Sequence, residues 1–362
     1  MGSLVMPSLK SPRDSYGGTL PATGNVLNVI DFSSRRLRWT STPLSRTHSA
    51  ILVPSLPNFA VAFEKDGALG CLVDLREPSV VKVVSAKRGW NFNGHGVFSA
   101  DGAYLYDTEY DQQNKDKSAI IVRDGKTFEI LGELDSHGFQ PHDLLFIHGG
   151  TQLVVGHYGH IPTATNSNLE ASVTLLEMPS GKLLERIPSS GENHQLCHIA
   201  ATDDGRVIVS TQNFLNNAPE MKNEGVHLDQ LSHQEKLSRK QQHFPSPVMI
   251  GAFGKPWQSL MPKEMESRFT FNFSTAIHKE SSVAGVAHIS GNYVSFWDLN
   301  TGKMLSGTDV KASATGLTLS KDRNWFIATS GSVIHFFDVK ELKHRGAIQL
   351  KPNLSAPHVL TI

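Results

Sequence analysis

The chain has 362 residues, 34 of them basic and 34 acidic, and so carries no formal net charge. That balance excludes a basic field for nucleic acid or an anionic membrane, and no apolar run approaches the roughly 18 residues that span a bilayer. Two cysteines, Cys71 and Cys197, supply neither a disulfide framework nor a CxxC metal site. The 17 histidines are the compositional anomaly.

The N-terminus, MGSLVMPSLKSPRD, has no apolar signal core. That is the expectation for a cytoplasmic protein or for a mature chain whose leader has been removed. Three short runs follow, YGGTL, NVLNVIDF and LRWTST. From there the chain reads as short β-branched strands punctuated by Asp, Asn and Gly turns. HSAILV, FAVAFEKDG, LGCLVDL and VVKVVSA form one group; HGVFSADG, AYLYDTEYD, SAIIVRDG and FEILGELD the next; HDLLFI, QLVVGHYGH, SVTLLEMPSG and LLERIPSS a third. The fourth, HIAATDDG, VIVSTQNF, PVMIGAFG and PWQSLM, is interrupted between its second and third strands by a polar insertion, 215–246. Long loops of this kind in compact folds are often functional, as a lid for example, or disordered. Two more groups follow, from FTFNFSTAI and from ATGLTLSKD. One last strand, PHVLTI, closes the chain.

A repeated phrase organises these groups. GHGVFSADG, PHDLLFIHGG and CHIAATDDG each place a glycine seven residues after a histidine: His95 and Gly102, His142 and Gly149, His198 and Gly205. His48 precedes His95 by 47 residues, and His95 precedes His142 by 47. A period of roughly 40–50 residues holding several short strands is the mark of a β-propeller. The expected fold is all-β: a single seven-bladed β-propeller over 1–362, with four-stranded antiparallel blades. The C-terminal strand would pair with the N-terminal strands to complete the seventh blade and remove the open sheet edges. Such a ring needs no partner copy, so a monomer is expected.

In a propeller the first strand of every blade lines the central channel, so the opening residues of these strands share one mouth. His48, His95, His142, His198 and His358 should therefore converge, with Phe273 or Ser274 in the slot of blade five and Gly316 in that of blade six. Neutral imidazoles crowded together lower one another's affinity for protons. A transition metal ion is the partner that suits them, because copper, zinc and iron all accept imidazole nitrogen. The same mouth should carry Glu109, Asp111, His157 and His160, with His137 and His194 nearby. Glu109 or Asp111 would orient a ligating imidazole through its other nitrogen. The competing expectation is a hydrogen-bonded lining like that of WD-type repeats, whose histidine lies about a dozen residues before the turn. His137 stands 12 residues before Gly149 and fits that role better than His142 does.

These residues resemble a bacterial seven-bladed β-propeller family of unassigned function. The resemblance rests on GHGVFSADG from Gly94, TEYD from Thr108, DSHGFQPHDL from Asp135, HQLCH from His194 and PHVL from Pro357, and it covers nearly the whole chain. It implies a periplasmic protein, often encoded near imelysin-like iron-uptake proteins, and hence a periplasmic metal-handling partner. The chain departs from the family pattern in RTHS around His48, in GHYGH with its extra His157 and His160, and in its longer fourth-blade insertion.

No GxSxG, HExxH, P-loop or Rossmann glycine fingerprint is present. Three functions stay open on the sequence. The first is a protein that carries, stores or senses a metal ion. The second is a copper or Lewis-acid enzyme at the same hub, with Glu109 moving protons. The third is a metal-free interaction scaffold.

Overall fold

The computed structural model describes residues 3–8, 26–32, 36–44, 47–159, 170–189, 194–213, 245–269, 271–349 and 360–361. The regular structure in these residues is almost entirely strand, with 3-10 turns at His148–Gly150 and Lys263–Arg268. No helix among them is long and apolar enough to cross a membrane.

The strands fall into consecutive antiparallel sets. The N-terminal set holds β1 (Ser3–Ser8), β2 (Val26–Asp31) and β3 (Arg36–Ser41). Next come β4 (Thr47–Leu52), β5 (Phe59–Gly67), β6 (Leu69–Asp74) and β7 (Ser79–Ser85). They are followed by β8 (Trp90–Phe98), β9 (Tyr104–Asp111), β10 (Ser118–Asp124) and β11 (Ile130–Leu134). The middle sets are β12 (Pro141–Ile147), β13 (Gln152–His157), β14 (Ser172–Glu177) and β15 (Lys182–Pro188), then β16 (His194–Ala201), β17 (Arg206–Asn213), β18 (Val248–Ala252) and β19 (Gln258–Leu260). The last two are β20 (Asn272–His278), β21 (Val283–His288), β22 (Tyr293–Asp298) and β23 (Met304–Asp309), and β24 (Ala314–Leu319), β25 (Trp325–Ser330), β26 (Val333–Asp338) and β27 (His344–Gln349). β28 (Leu360–Thr361) ends the chain and pairs with β1. β5 also pairs with β8, through Lys65–Asn93 and Gly67–Phe92, which joins two sets into one eight-stranded sheet. The break between β17 and β18 lies where the insertion is expected; 214–244 fall outside the described residues.

Local chemistry explains the first hairpin of the repeat. Gly102, Gly149 and Gly205 all sit at positive φ, 70°, 63° and 83°, a region that a side chain disfavours and glycine does not. The neighbouring acid holds the turn: Asp101 accepts from Ser99 Oγ at 2.6 Å and from the Ala103 amide at 3.0 Å. The spacing of seven from histidine to glycine is thus one inner strand and the start of its turn.

Burial follows position in each set. β13, β21 and β25 are buried along almost their whole length, whereas the fourth strands β7, β11 and β27 are mostly exposed. Strands covered on both faces read as continuous apolar runs. Apolar clusters fill the seams between successive sets. Phe296 packs on Phe326 and Phe337 with centroids 5.0 and 5.3 Å apart, each buried ring stabilising by roughly 1.5–3 kcal/mol. Ile147, Val154 and Val173 meet Leu196, Val207 and Met249 at another seam. Leu27 and Val29 of the N-terminal set pack on Ala60, Ala62 and Cys71, while Ile30 of the same strand packs on Ile327, Ile334 and Phe336 of the last set. One short strand is therefore wedged between elements from opposite ends of the chain.

The C-terminal strand completes the N-terminal set in the order β28-β1-β2-β3. Leu4 and Val5 face Thr361 and Leu360, and Thr361 Oγ1 donates to the Leu319 carbonyl at 2.5 Å. The strand beside β28 is Ser3–Ser8; the expected YGGTL, 16–20, falls outside the described residues. Deleting 356–362 should lower the thermal midpoint by several degrees, because it removes the β28 pairing and the Leu360 contact with the Leu27 cluster. An unchanged melting curve would refute that role.

Candidate metal centre

Each inner strand from β4 to β24 has a register irregularity near its start, and in four of them it falls on a histidine. In β4 the pairing passes from Thr47–Glu64 to Ser49–Phe63 and skips His48; in β12 it passes from Pro141–His157 to Asp143–Gly156 and skips His142. In β8 the skipped residues are Asn93, Gly94 and His95, and in β16 Cys197 and His198. β20 skips Phe273 and Ser274. In β24 the skipped residue is Thr315, one before the expected Gly316, because Gly316 is already paired with Thr329. A bulge bends its strand and re-aims a side chain.

The four histidines meet. His48, His95, His142 and His198 are all buried, and each offers a ring nitrogen within 4.8 Å of the others. His142 stands at the centre: its Nε2 is 3.4 Å from His48 Nε2 and 3.2 Å from His198 Nε2. The His95 ring is 4.5 Å from that of His142 and 5.1 Å from that of His198. Phe273, in the slot of the next set, lies edge-on to His198 at 4.5 Å. His358 falls outside the described residues.

Neighbouring inner strands are latched at the same level. Ser49 Oγ donates to the Gly94 carbonyl at 2.5 Å. Asn93 Nδ2 donates to the Pro141 carbonyl at 2.7 Å, and His142 Nδ1 returns a bond to the Asn93 carbonyl at 2.6 Å. The Ile199 amide donates to Asp143 Oδ2 at 3.0 Å. Gly94 sits at φ 105°, and a Cβ there would stand 2.4 Å from His48 Cδ2, so only glycine leaves room for that ring.

The donor set fits a transition ion. A carbonyl opposite Nδ1 makes that nitrogen of His142 the N–H, so the Nε2 lone pair faces the cluster. Burial first, then Lys65 and the three other imidazoles, holds His142 well below the usual histidine range, and the ring is neutral. Tyr158 Oη also lies 2.9 Å from the same Nε2. One in-plane lone pair cannot accept from Tyr158, His48 and His198 together, whereas one cation satisfies the lone pairs of all the donors. An ion held at roughly 2.0–2.1 Å by tetrahedral nitrogens separates them by about 3.3 Å, close to the 3.2 and 3.4 Å found. Asp143 Oδ1, 3.4 Å from His95 Nδ1, has the relation of a carboxylate that orients a ligating imidazole. Burial pushes Asp143 up to about 7, against the lowering effect of the Ile199 and Leu144 amides.

The centre opens onto a cavity of about 600 Å³. His95, Asp143 and His198 form part of its wall, with Ser49, Thr275 and Lys321 farther along.

Residues 42–244 match the profile of a family described as "Protein of unknown function (DUF1513)". The chain belongs to this family. No curated protein matches this DUF1513 chain. Among solved structures it is similar to a propeller-like chain of Kuenenia stuttgartiensis hydrazine synthase, with a TM-score of 0.64 and 13% identity over 90% of each chain. At that identity the likeness shows the fold alone.

The other residues singled out in the DUF1513 sequence are engaged apart from the four imidazoles. Glu109 and Asp107 both pair with Arg123, and Glu109 also accepts from the Lys87 amide at 2.8 Å. All three ionic side chains are buried. Burial and the adjacent Glu109 push Asp107 well above the usual carboxylate range, while the two carboxyls raise Arg123 further despite its own burial. The guanidinium bonds both carboxyls, and removing one member of such a buried ionic group would cost about 3–5 kcal/mol. Asp111 accepts from the Gln113 and Asn114 amides. His137, at φ 58°, has Nε2 3.0 Å from the Gly181 carbonyl. His157 Nδ1 donates to the Ser172 carbonyl at 3.1 Å, and burial depresses this ring to about 4. His194 is half-buried and likewise depressed by burial. His160 falls outside the described residues.

The sequence reading missed Asn93, Asp143, Tyr158 and Lys65. Asp143 had a signal, since it follows His142 directly. Lys65 and Tyr158 had none, being 93 residues apart and brought together only by tertiary packing.

Proposed function

We propose that this protein is a closed seven-bladed propeller that binds a transition metal ion, copper, zinc or iron, at His48, His95, His142 and His198, with His358 in the same ligand pool. The single observation that carries the reading is the set of four buried imidazoles with ligand atoms within 4.8 Å of one another. Ring closure is supported by the contacts of inner strands in succession, β4 with β8 through to β24 with β28, and by β1, which pairs with β28 and touches β4. Carriage, storage or sensing of the ion in the periplasm, beside a metal-handling partner, is the role that suits a cluster of buried imidazole ligands.

A second reading, a metal-dependent enzyme, is favoured by one observation. His95 and His198 wall a cavity large enough for a small substrate, and an ion with an open position there would meet it. Elemental analysis of protein purified without an affinity tag tests the first reading. About one equivalent of copper, zinc or iron per chain is expected. Metal-free protein that takes up none of the three in titration would leave an interaction scaffold as the remaining function.

A further inference from the structure

We infer that Tyr158 is an oxygen ligand of this centre, which makes it a mixed imidazole and phenolate site suited to an oxidised ion, Cu(II) or Fe(III). The inference rests on the metal reading above and deepens it. Tyr158 Oη, His48 Nε2 and His198 Nε2 surround His142 Nε2 at 2.9, 3.4 and 3.2 Å. His142 Nε2 and the three atoms around it thus form one cluster of donors, three from the inner strands β4, β12 and β16 and one, an oxygen, from the residue after β13.

Tyr158 is held there firmly. It follows the end of β13, its amide donates to the Gln140 carbonyl at 3.1 Å, and its ring stacks on His142 with centroids 4.2 Å apart and planes at 28°. The side chain is buried. A tyrosine serving only to fill space needs no polar partner beyond one hydrogen bond. This one has an imidazole lone pair on one side and Lys65 Nζ donating to the same oxygen on the other. Lys65 Nζ also lies 3.9 Å from the ring centroid.

The exchange balances. On coordination the phenol O–H breaks, the oxygen–metal bond forms and the proton leaves to solvent. The phenolate charge is then shared between the ion and the Lys65 ammonium, and no electron is transferred. An anionic oxygen raises the preference for the higher oxidation state. Neutral imidazoles alone do not select one.

Titration of the metal-free full chain with Cu(II) tests the assignment. The loaded protein should show a phenolate-to-copper charge-transfer band in the visible, with phenolate ring modes enhanced by resonance Raman excitation in that band. Tyr158→Phe should lose both completely, with intensity scored per bound copper. One bound copper with no such band in the unaltered chain, or a band that survives in Tyr158→Phe, overturns the assignment and leaves the histidine site standing. A chain that binds no copper, zinc or iron overturns the histidine site itself.

Discussion

Replacing His142 with alanine is expected to abolish tight metal binding while leaving the sheets intact. His142 Nε2 lies within 3.4 Å of the Nε2 atoms of two other imidazoles, and its tautomer is set by the Asn93 carbonyl. Loss of a partner that merely orients a ligand costs roughly 10–100-fold in metal affinity, so loss of the central ligand should exceed that range. The substitution also removes the return bond from His142 Nδ1 to β8, worth about 1 kcal/mol. Its neighbour latches, Ser49 to Gly94 and Ile199 to Asp143, remain. Calorimetric titration with copper or zinc gives the affinity directly. The metal-induced rise in melting temperature gives it independently, because a ligand present at a hundred times its Kd stabilises by about 2.7 kcal/mol. That rise should vanish in His142→Ala. Equal stoichiometry and affinity in the two proteins would show that the four rings do not act as one ligand set.

The second large effect is acid destabilisation through His288. Its ring is buried in a one-way chain of hydrogen bonds. Trp297 Nε1 donates to Ser295 Oγ at 2.7 Å, and the Ser295 hydroxyl donates to His288 Nε2 at 2.8 Å. His288 Nδ1 then donates to Asn272 Oδ1 at 2.5 Å, and Asn272 Nδ2 to the Ser246 carbonyl at 2.7 Å. Every position is filled by a neutral ring, and a second ring proton would point at the Ser295 hydroxyl. Burial accordingly depresses His288 to about 3 from the ordinary 6.5. Above pH 6.5 neither folded nor unfolded chain protonates this ring, and its contribution is constant. Between 6.5 and about 3 the unfolded chain binds one proton more, so stability falls as pH falls. The loss from this one residue approaches about 5 kcal/mol at its limit. Denaturant unfolding at pH 7, 5.5 and 4.5 should show a shallower decline for His288→Asn than for the unaltered chain, although the variant starts less stable at pH 7. Parallel declines would mean that the ring titrates normally in the folded protein.

The sequence carried more of the architecture than of the site. The 47-residue spacing, the Asp-Gly turns and the apolar second and third strands placed the sheet sets, and the break before Val248 was visible as a polar run. Two features of the sheets were not readable. The joining of β5 to β8 depends on a register shift at Lys65–Gly67, and the pairing of Ser3–Ser8 with β28 depends on a contact between the two ends of the chain. In the site, the slots of His48, His95, His142 and His198 followed from the repeat. The partners of Glu109 did not, because Arg123 reaches it from the next strand inside the same sheet.

A linear repeat is enough to say which residues start equivalent strands, since equivalent strands in equivalent sets start at the same level. The amino-acid order therefore determined the sheet grouping, the turn glycines and the histidine positions. What only the tertiary structure decided is how those side chains are aimed and what meets them. A bulge at each inner strand turns the ring by breaking the two-residue alternation, and bulges leave no periodic trace. Asn93 and Asp143 lie beside His95 and His142 on the same inner strands, whereas Lys65 of β5 and Tyr158 after β13 meet at the centre by a contact across 93 residues that no local pattern encodes.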